Sequence, residues 1–261
     1  MSGAQDIFEA RVLDLVKRAE RGEVAVGDFY NPREIHAAKI ILEQSGSGGR
    51  YAFYGGCKGA ERARLVCLPD YMLYGVSAAE TAAEVLADEI CALRINGSGY
   101  RELSHRDFMG AILSLGIKRH VIGDIIVDDD LHGAYVFCDC KIAGFIAENL
   151  SKVANDTVSV EIATLPDGFD IVRKTEPVSD TVASPRVDCV IAALARCSRE
   201  RAKEIIISGL SEVNYEIVTK PDSTLEAGDI ISVRGAGKFI IVSIDGVTRR
   251  GRLRLEAERF I

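Results

Sequence analysis

The stretch whose reading decides the fold is residues 184–239, SPRVDCVIAALARCSRERAKEIIISGLSEVNYEIVTKPDSTLEAGDIISVRGAGKF. Val187, Val190, Ile191 and Leu194 recur at helical spacing, and a second helix opens at Ser198, a good N-cap, to bury Ala202, Ile205 and Ile206. Arg199 and Lys203 lie four apart and so share one side of that helix. Gly209 ends it, where a left-handed residue is needed. Strands are predicted over 212–218 and 230–233, with Gly228-Asp229 as the turn between them. Arg and Lys fall on the pieces facing away from the apolar residues, which makes this small fold a candidate reader of a phosphate backbone.

Within that stretch, Arg186-Val187-Asp188, Ser198-Arg199 with Ala202, Gly209, Val213-Asn214, Lys220-Pro221, Leu225, and Gly228-Asp229 before Ile231-Ser232-Val233 resemble the S4-type RNA-binding module, or alpha-L motif, over residues 184–234. The resemblance implies RNA contacts from Arg186, Ser198, Arg199, Lys203, Asn214, Lys220, Arg234 and Lys238. Many such modules carry Gly after the Asn, and here Tyr215 stands in its place, which suits a longer strand with an aromatic on its face. Arg186, Arg199, Lys203, Arg234 and Lys238 are expected to line one face. The glycine-rich turn at 234–238 would let backbone approach phosphate closely.

A length of 261 residues favours two or three small domains, and 48% apolar with 27% charged residues is ordinary for a folded globular chain. No apolar run approaches the roughly 20 residues that span a bilayer. The first 20 residues form an amphipathic pattern rather than a signal peptide, so a cytoplasmic protein without a membrane partner is expected. The seven cysteines include no Cys-x-x-Cys pair, which favours reduced, buried thiols over structural zinc or a disulfide framework. The formal charge is −7, but residues 183–261 carry 13 Lys and Arg against 11 Asp and Glu while the rest carry 19 against 28. That asymmetry confines a nucleic-acid contact to one end.

The fold class expected is α+β in three parts. Residues 1–75 read as two helices and a hairpin with strands at 51–54 and 63–68. Residues 76–172 open with a helix at 78–87 and then order themselves β-α-β-β-α-β, the ferredoxin-like (RRM-like) plan. Phe108, Ile112, Leu115 and Phe145 are expected beneath its sheet. The aromatic signature that stacks bases in RNA-recognition domains is missing from the strands, so this part reads as a docking or spacer domain with at most a weak RNA contact. A polar linker at 170–182 leads to the S4-type domain, 183–261. That domain closes on a hairpin turning at Asp245-Gly246, with Arg249, Arg250, Arg252 and Arg254 as a basic cluster.

No catalytic constellation emerges, and no metal or cofactor is implied. His105-Arg106-Asp107 imitates a kinase catalytic loop, but its companion motifs are missing and helix capping by Ser104 and Asp107 explains it. Asp128-Asp129-Asp130 lacks calcium-loop spacing and reads as a solvated turn. No Gly-Lys-Ser/Thr follows the glycine-rich segments, which excludes a P-loop. Lys58, Arg62 and Arg64 read as an exposed hairpin tip or an rRNA contact, and Arg106, Lys118 and Arg119 as candidates for RNA contact at the ends of a helix.

The order of parts, with FYGG at 53–56, GAERARLVCLPD at 59–70 and LSHRDFMGAILSLGIKRHVIGDIIV at 103–127, resembles the bacterial YlmH family over nearly the whole chain. The resemblance implies a non-enzymatic, monomeric factor that binds rRNA and tRNA on the large ribosomal subunit, in rescue or quality control of stalled ribosomes. A cell-division protein whose RNA module is secondary and an RNA-modification accessory protein are the alternatives.

Overall fold

Asn31 starts the second helix by accepting the Arg33 and Glu34 amides at 3.0 Å each, while Glu34 reaches back to the Asn31 amide at 2.7 Å. Around that cap are built α1 (Ser2–Glu20), β1 (Ala25–Tyr30), α2 (Pro32–Gln44), β2 (Tyr51–Tyr54) and β3 (Ala63–Cys67). The strands form an antiparallel sheet in the order β1-β3-β2, and the strand β1 is an addition to the expected hairpin. Val12, Leu15, Val16, Ala38 and Leu42 bury the facing stripes of α1 and α2 against Leu65 and Cys67 of β3. This computed structural model describes residues 2–166, 168–172, 174–248 and 251–261, an α and β mixture in two compact units, 1–171 and 172–261.

The first unit continues with α3 (Ala78–Leu86), β4 (Ile90–Asn96), α4 (His105–Ser114), β5 (Ile122–Val127), β6 (Gly133–Asp139) and α5 (Cys140–Asn149). A short hairpin, β7 (Lys152–Val153) with β8 (Asp156–Thr157), precedes β9 (Ser159–Ala163). The second sheet is antiparallel throughout, in the order β5-β6-β4-β9. Ser104 and Asp107 form the capping box of α4, as the sequence predicts. Phe108 and Ile112 of α4 join Ala143 and Ile146 of α5 against Leu93, Ile95, Val136 and Cys138, and Leu115 packs at the edge. Phe145 does not belong there. It is 47% exposed, because Ala143 and Ile146 take the inward stripe of α5 and leave Phe145 on the outer side.

The opposite face of this sheet is also covered. Ile90, Ala92 and Phe137 share a core with Phe29, Ala52, Val66, and with Ala82 and Leu86 of α3. The boundary expected at 75/76 therefore falls inside continuous packing. Gly123 permits a close approach, since a Cβ there would sit 2.8 Å from the Phe29 ring and 3.0 Å from Phe137. Cysteine usage differs from expectation as well. Cys91 and Cys140 are joined in a disulfide, because Cys138 lies opposite Cys91 in the ladder and the chain folds back over β4 as α5 begins.

The second unit comprises β10 (Thr175–Val182), α6 (Val187–Leu194), α7 (Arg199–Ile207), β11 (Ser211–Val213), β12 (Glu216–Ile217), β13 (Ile230–Val233), β14 (Gly237–Val247) and β15 (Leu253–Phe260). Its antiparallel sheet runs β10-β15-β14-β13-β11-β12. Val187, Val190, Ile191 and Leu194 of α6 and Ala202 and Ile206 of α7 pack on Ile231, Phe239, Ile241 and Leu255. Three expectations change here. The polar segment 175–182 is an edge strand rather than a linker, its eight residues paired along β15. Residues 212–218 are a tight hairpin rather than one strand, with Asn214 at φ 50° and Tyr215 at φ 69°, the left-handed pair a two-residue turn demands. Asp245-Gly246 is an irregularity within the β14–β15 ladder, and the chain reverses later, where Thr248 and Arg252 bond.

Candidate nucleic-acid interface

The centre of the candidate site is a carboxylate, Asp188, in the first turn of α6 and fully buried. Arg186 Nε and Nη2 donate to its two oxygens at 3.1 and 3.2 Å, and Arg199 Nε donates at 3.0 Å from the first turn of α7. Burial pushes this carboxyl upward, but the hydrogen bonds from Arg186 and Arg199 outweigh it and hold Asp188 below the usual carboxylate range. The two arginines stay 38% and 46% exposed, so a buried negative charge holds two positive groups at the surface.

Ser198, just before Arg199, spends its hydroxyl on capping α7, accepting the Arg201 amide at 3.1 Å. Lys203 is exposed one turn further along the same helix. The turn after Lys220 docks on the start of α6, where the Val187 amide donates to the Ser223 carbonyl at 2.9 Å and the Asp188 amide to Pro221 at 3.0 Å. Lys220 is exposed and directly precedes this docked turn. Arg199 also borders a concavity of about 330 Å³ shared with Thr181, Cys189, Cys197 and Arg252.

Arg234 and Lys238 belong to a different hollow, about 430 Å³, bordered also by Gly209, Glu212 and Ser232. Lys238 Nζ lies 5.1 Å from the ring centres of both Tyr215 and Phe260. Asn214 is committed to the fold: its side chain donates to Asp229 at 2.8 Å and accepts the Ile230 amide at 3.0 Å. The structure therefore gathers Arg186, Arg199 and the Lys220 turn around Asp188, places Arg234 and Lys238 together elsewhere, and uses Ser198 and Asn214 internally. Asp188 is visible in the sequence within the Arg186-Val187-Asp188 motif but is not among the site residues expected there; the acid two residues after Arg186 and eleven before Arg199 was its signal. Of the basic cluster beyond β14, Arg249 and Arg250 lie outside the described residues, and Arg252 donates to the Thr181 carbonyl.

In the first unit, Arg62 and Arg64 are buried rather than at an exposed hairpin tip. Arg62 donates to the carbonyls of Ile122, Phe29 and Arg119, and Arg64 to Gly27, Glu89 and the Asp139 carboxylate. Neither can serve as a phosphate contact. Arg106 and Lys118 are exposed. Asp128 is engaged by Arg94 through a paired contact at 2.7 and 2.6 Å. The sheet face where a base would stack is occupied. Phe137 is buried, the Phe169 ring lies 5.1 Å from that of Tyr135, and Arg94 covers Tyr135 at 4.8 Å.

Comparison with known proteins adds the lineage. The "Ribosome-associated protein quality control protein P2" of Bacillus subtilis is 30% identical over 240 residues, spanning 92% of this chain and 89% of that protein. A family model described as "Putative RNA-binding domain in YlmH" matches residues 89–167. The chain belongs to the YlmH family. A solved structure, "Cell division protein ylmH from Streptococcus pneumoniae", is similar at 23% identity and a TM-score of 0.49, covering 65% of this chain and 97% of that one. The stretch matched by the YlmH family's RNA-binding model lies in the part read from sequence as a docking or spacer domain with a weak RNA contact.

Proposed function

We propose that this YlmH-family chain is a non-catalytic RNA-binding factor that associates with rRNA and tRNA on the large ribosomal subunit, in the rescue or quality control of stalled ribosomes. The observation that carries the reading is the match along 92% of the chain to a relative named for ribosome-associated quality control. In this reading residues 76–172 form a ferredoxin-like, RRM-like domain whose stretch 89–167 binds RNA, residues 183–261 form an S4-type domain, and the chain acts as a monomer in the cytoplasm. With its sheet face covered, the 89–167 domain meets RNA through exposed groups at its margins, Arg106 and Lys118 among them.

The chemistry asked of the chain is modest. Arginine offers a planar fork of donors to phosphate oxygens and lysine a point charge. Structured RNA hides its base edges in a deep major groove, so shape and backbone dominate recognition. The net charge of −7 disfavours indiscriminate binding and leaves attachment to localised basic groups. Ultraviolet cross-linking in cells followed by sequencing of the attached RNA tests the proposal. Reads concentrated in large-subunit rRNA and tRNA are expected, and reads spread in proportion to transcript abundance would refute it.

A further inference from the structure

We infer that Asp188 is a positioning residue for RNA, a buried carboxylate that holds the guanidiniums of Arg186 and Arg199 fixed and outward as a two-armed phosphate clamp. This rests on the RNA-binding reading above and adds to it the residue that organises the contact.

Three observations carry the inference. First, Asp188 is wholly buried, whereas an acidic residue in a first helical turn gains its favourable interaction with the helix terminus while still facing solvent. Burial without need is costly, and a well-packed apolar residue is often as stabilising as a buried ion pair. Second, the carboxylate is held from two separate elements, by Arg186 before α6 and by Arg199 in α7, so it ties the helix pair together through the groups proposed to face RNA. Both arginines turn Nε toward Asp188, so the donors of Nη1 are not spent on that carboxylate. Third, the turn at 221–225 is bonded to the same helix start, with the Leu225 amide also donating to Pro185 at 2.9 Å, which fixes the backbone that carries Arg186, and its Asp222 carboxylate adds a second negative charge acting on that guanidinium.

Arginines held in this way lose their rotamer freedom when the protein folds, not when RNA arrives, and preorganisation of that kind raises affinity without adding a contact. The group recognised is a phosphodiester oxygen pair, matched by the outward edge of each fork.

Asp188→Asn separates positioning from simple attraction by the sign of its effect. The substitution raises the formal charge of the site by one, so pure electrostatics makes binding tighter and the salt dependence steeper. Positioning makes it weaker, about tenfold, through the two side chains that must then be ordered on binding. The assay is co-sedimentation of the full chain with purified large ribosomal subunits over a potassium chloride series, with urea midpoints to confirm that the variant is folded. Equal or tighter binding by the folded variant would overturn the positioning role while leaving the RNA reading intact. A parent that fails to bind at low salt would instead overturn the RNA reading. A second measurement needs no RNA: in the free parent, the Nε–H signals of Arg186 and Arg199 should be rigid and slow to exchange beside that of exposed Arg196, and Asp188→Asn should abolish the difference. Parent signals as mobile as that of Arg196 would overturn the clamp.

Discussion

Arg62→Leu probes whether the first 171 residues share one core. Arg62 lies just before β3, is 8% exposed, and spends its guanidinium on three carbonyls: Ile122 at 2.9 Å, Phe29 at 3.1 Å and Arg119 at 3.1 Å. These belong to β5, β1 and the turn entering β5, so one side chain joins the N-terminal sheet to the second sheet. Burial, with Arg119 nearby, pushes the guanidinium below its usual pKa, yet removing it strands three acceptors. At about 1 kcal/mol or more for each orphaned acceptor, less what leucine recovers by apolar contact, the loss is about 3 kcal/mol. With a urea slope of about 2 kcal/mol/M, the midpoint falls by roughly 1.5 M. Tyrosine fluorescence reads this unit almost selectively, because Trp is absent and Tyr215 is the one tyrosine of eight outside residues 1–171. A single transition moving to lower urea is expected. A shift below about 0.3 M, or two separate transitions for residues 1–171, would refute the shared core.

Asn214→Ala should destabilise the second unit by about 2 kcal/mol, through two lost hydrogen bonds and a left-handed position that alanine resists, and Asn214→Gly should recover part of it; thermal melts check both, and a silent Asn214→Ala would return this side chain to the RNA-contact list. Asp188 is held below its usual pKa when folded, so its stabilisation is present above the unfolded value of about 3.9 and is lost as pH falls through the folded value. The stability gap between the parent and Asp188→Asn should therefore close below about pH 4, and a gap constant down to pH 2 would contradict that assignment. Alkylation of the oxidised, denatured chain should label five cysteines and leave Cys91 and Cys140 unlabelled until reductant is added, whereas seven labels without reductant would rule out the pairing.

Much of the organisation is legible where local signals agree. Ser198, Gly209 and the apolar spacing of 187–206 place α6 and α7, and Ser104 with Asp107 fixes the start of α4. What escapes reading are features decided by tertiary partners. Arg62 and Arg64 look like surface residues by type, and only the carbonyls that meet them make burial possible. The strand β10 carries Pro177 and polar residues because it lies at a sheet edge with one side unpaired. Asn214-Tyr215 departs from the usual glycine turn, yet the hydrogen bonds of Asn214 to Asp229 and Ile230 stabilise it. In the candidate site, the arginines are visible in the sequence as basic residues. Their convergence on Asp188 is not, because it depends on how α6 and α7 cross.

The central claim is attachment to the large ribosomal subunit through localised basic groups, and the most direct measurement is sucrose-gradient sedimentation of the purified full chain with separated large and small subunits at increasing potassium chloride. The account predicts migration with the large subunit at low salt, little with the small one, and an affinity whose logarithm falls linearly with the logarithm of salt concentration. Absence from the large-subunit fractions at low salt, or equal recovery with both subunits, would contradict it.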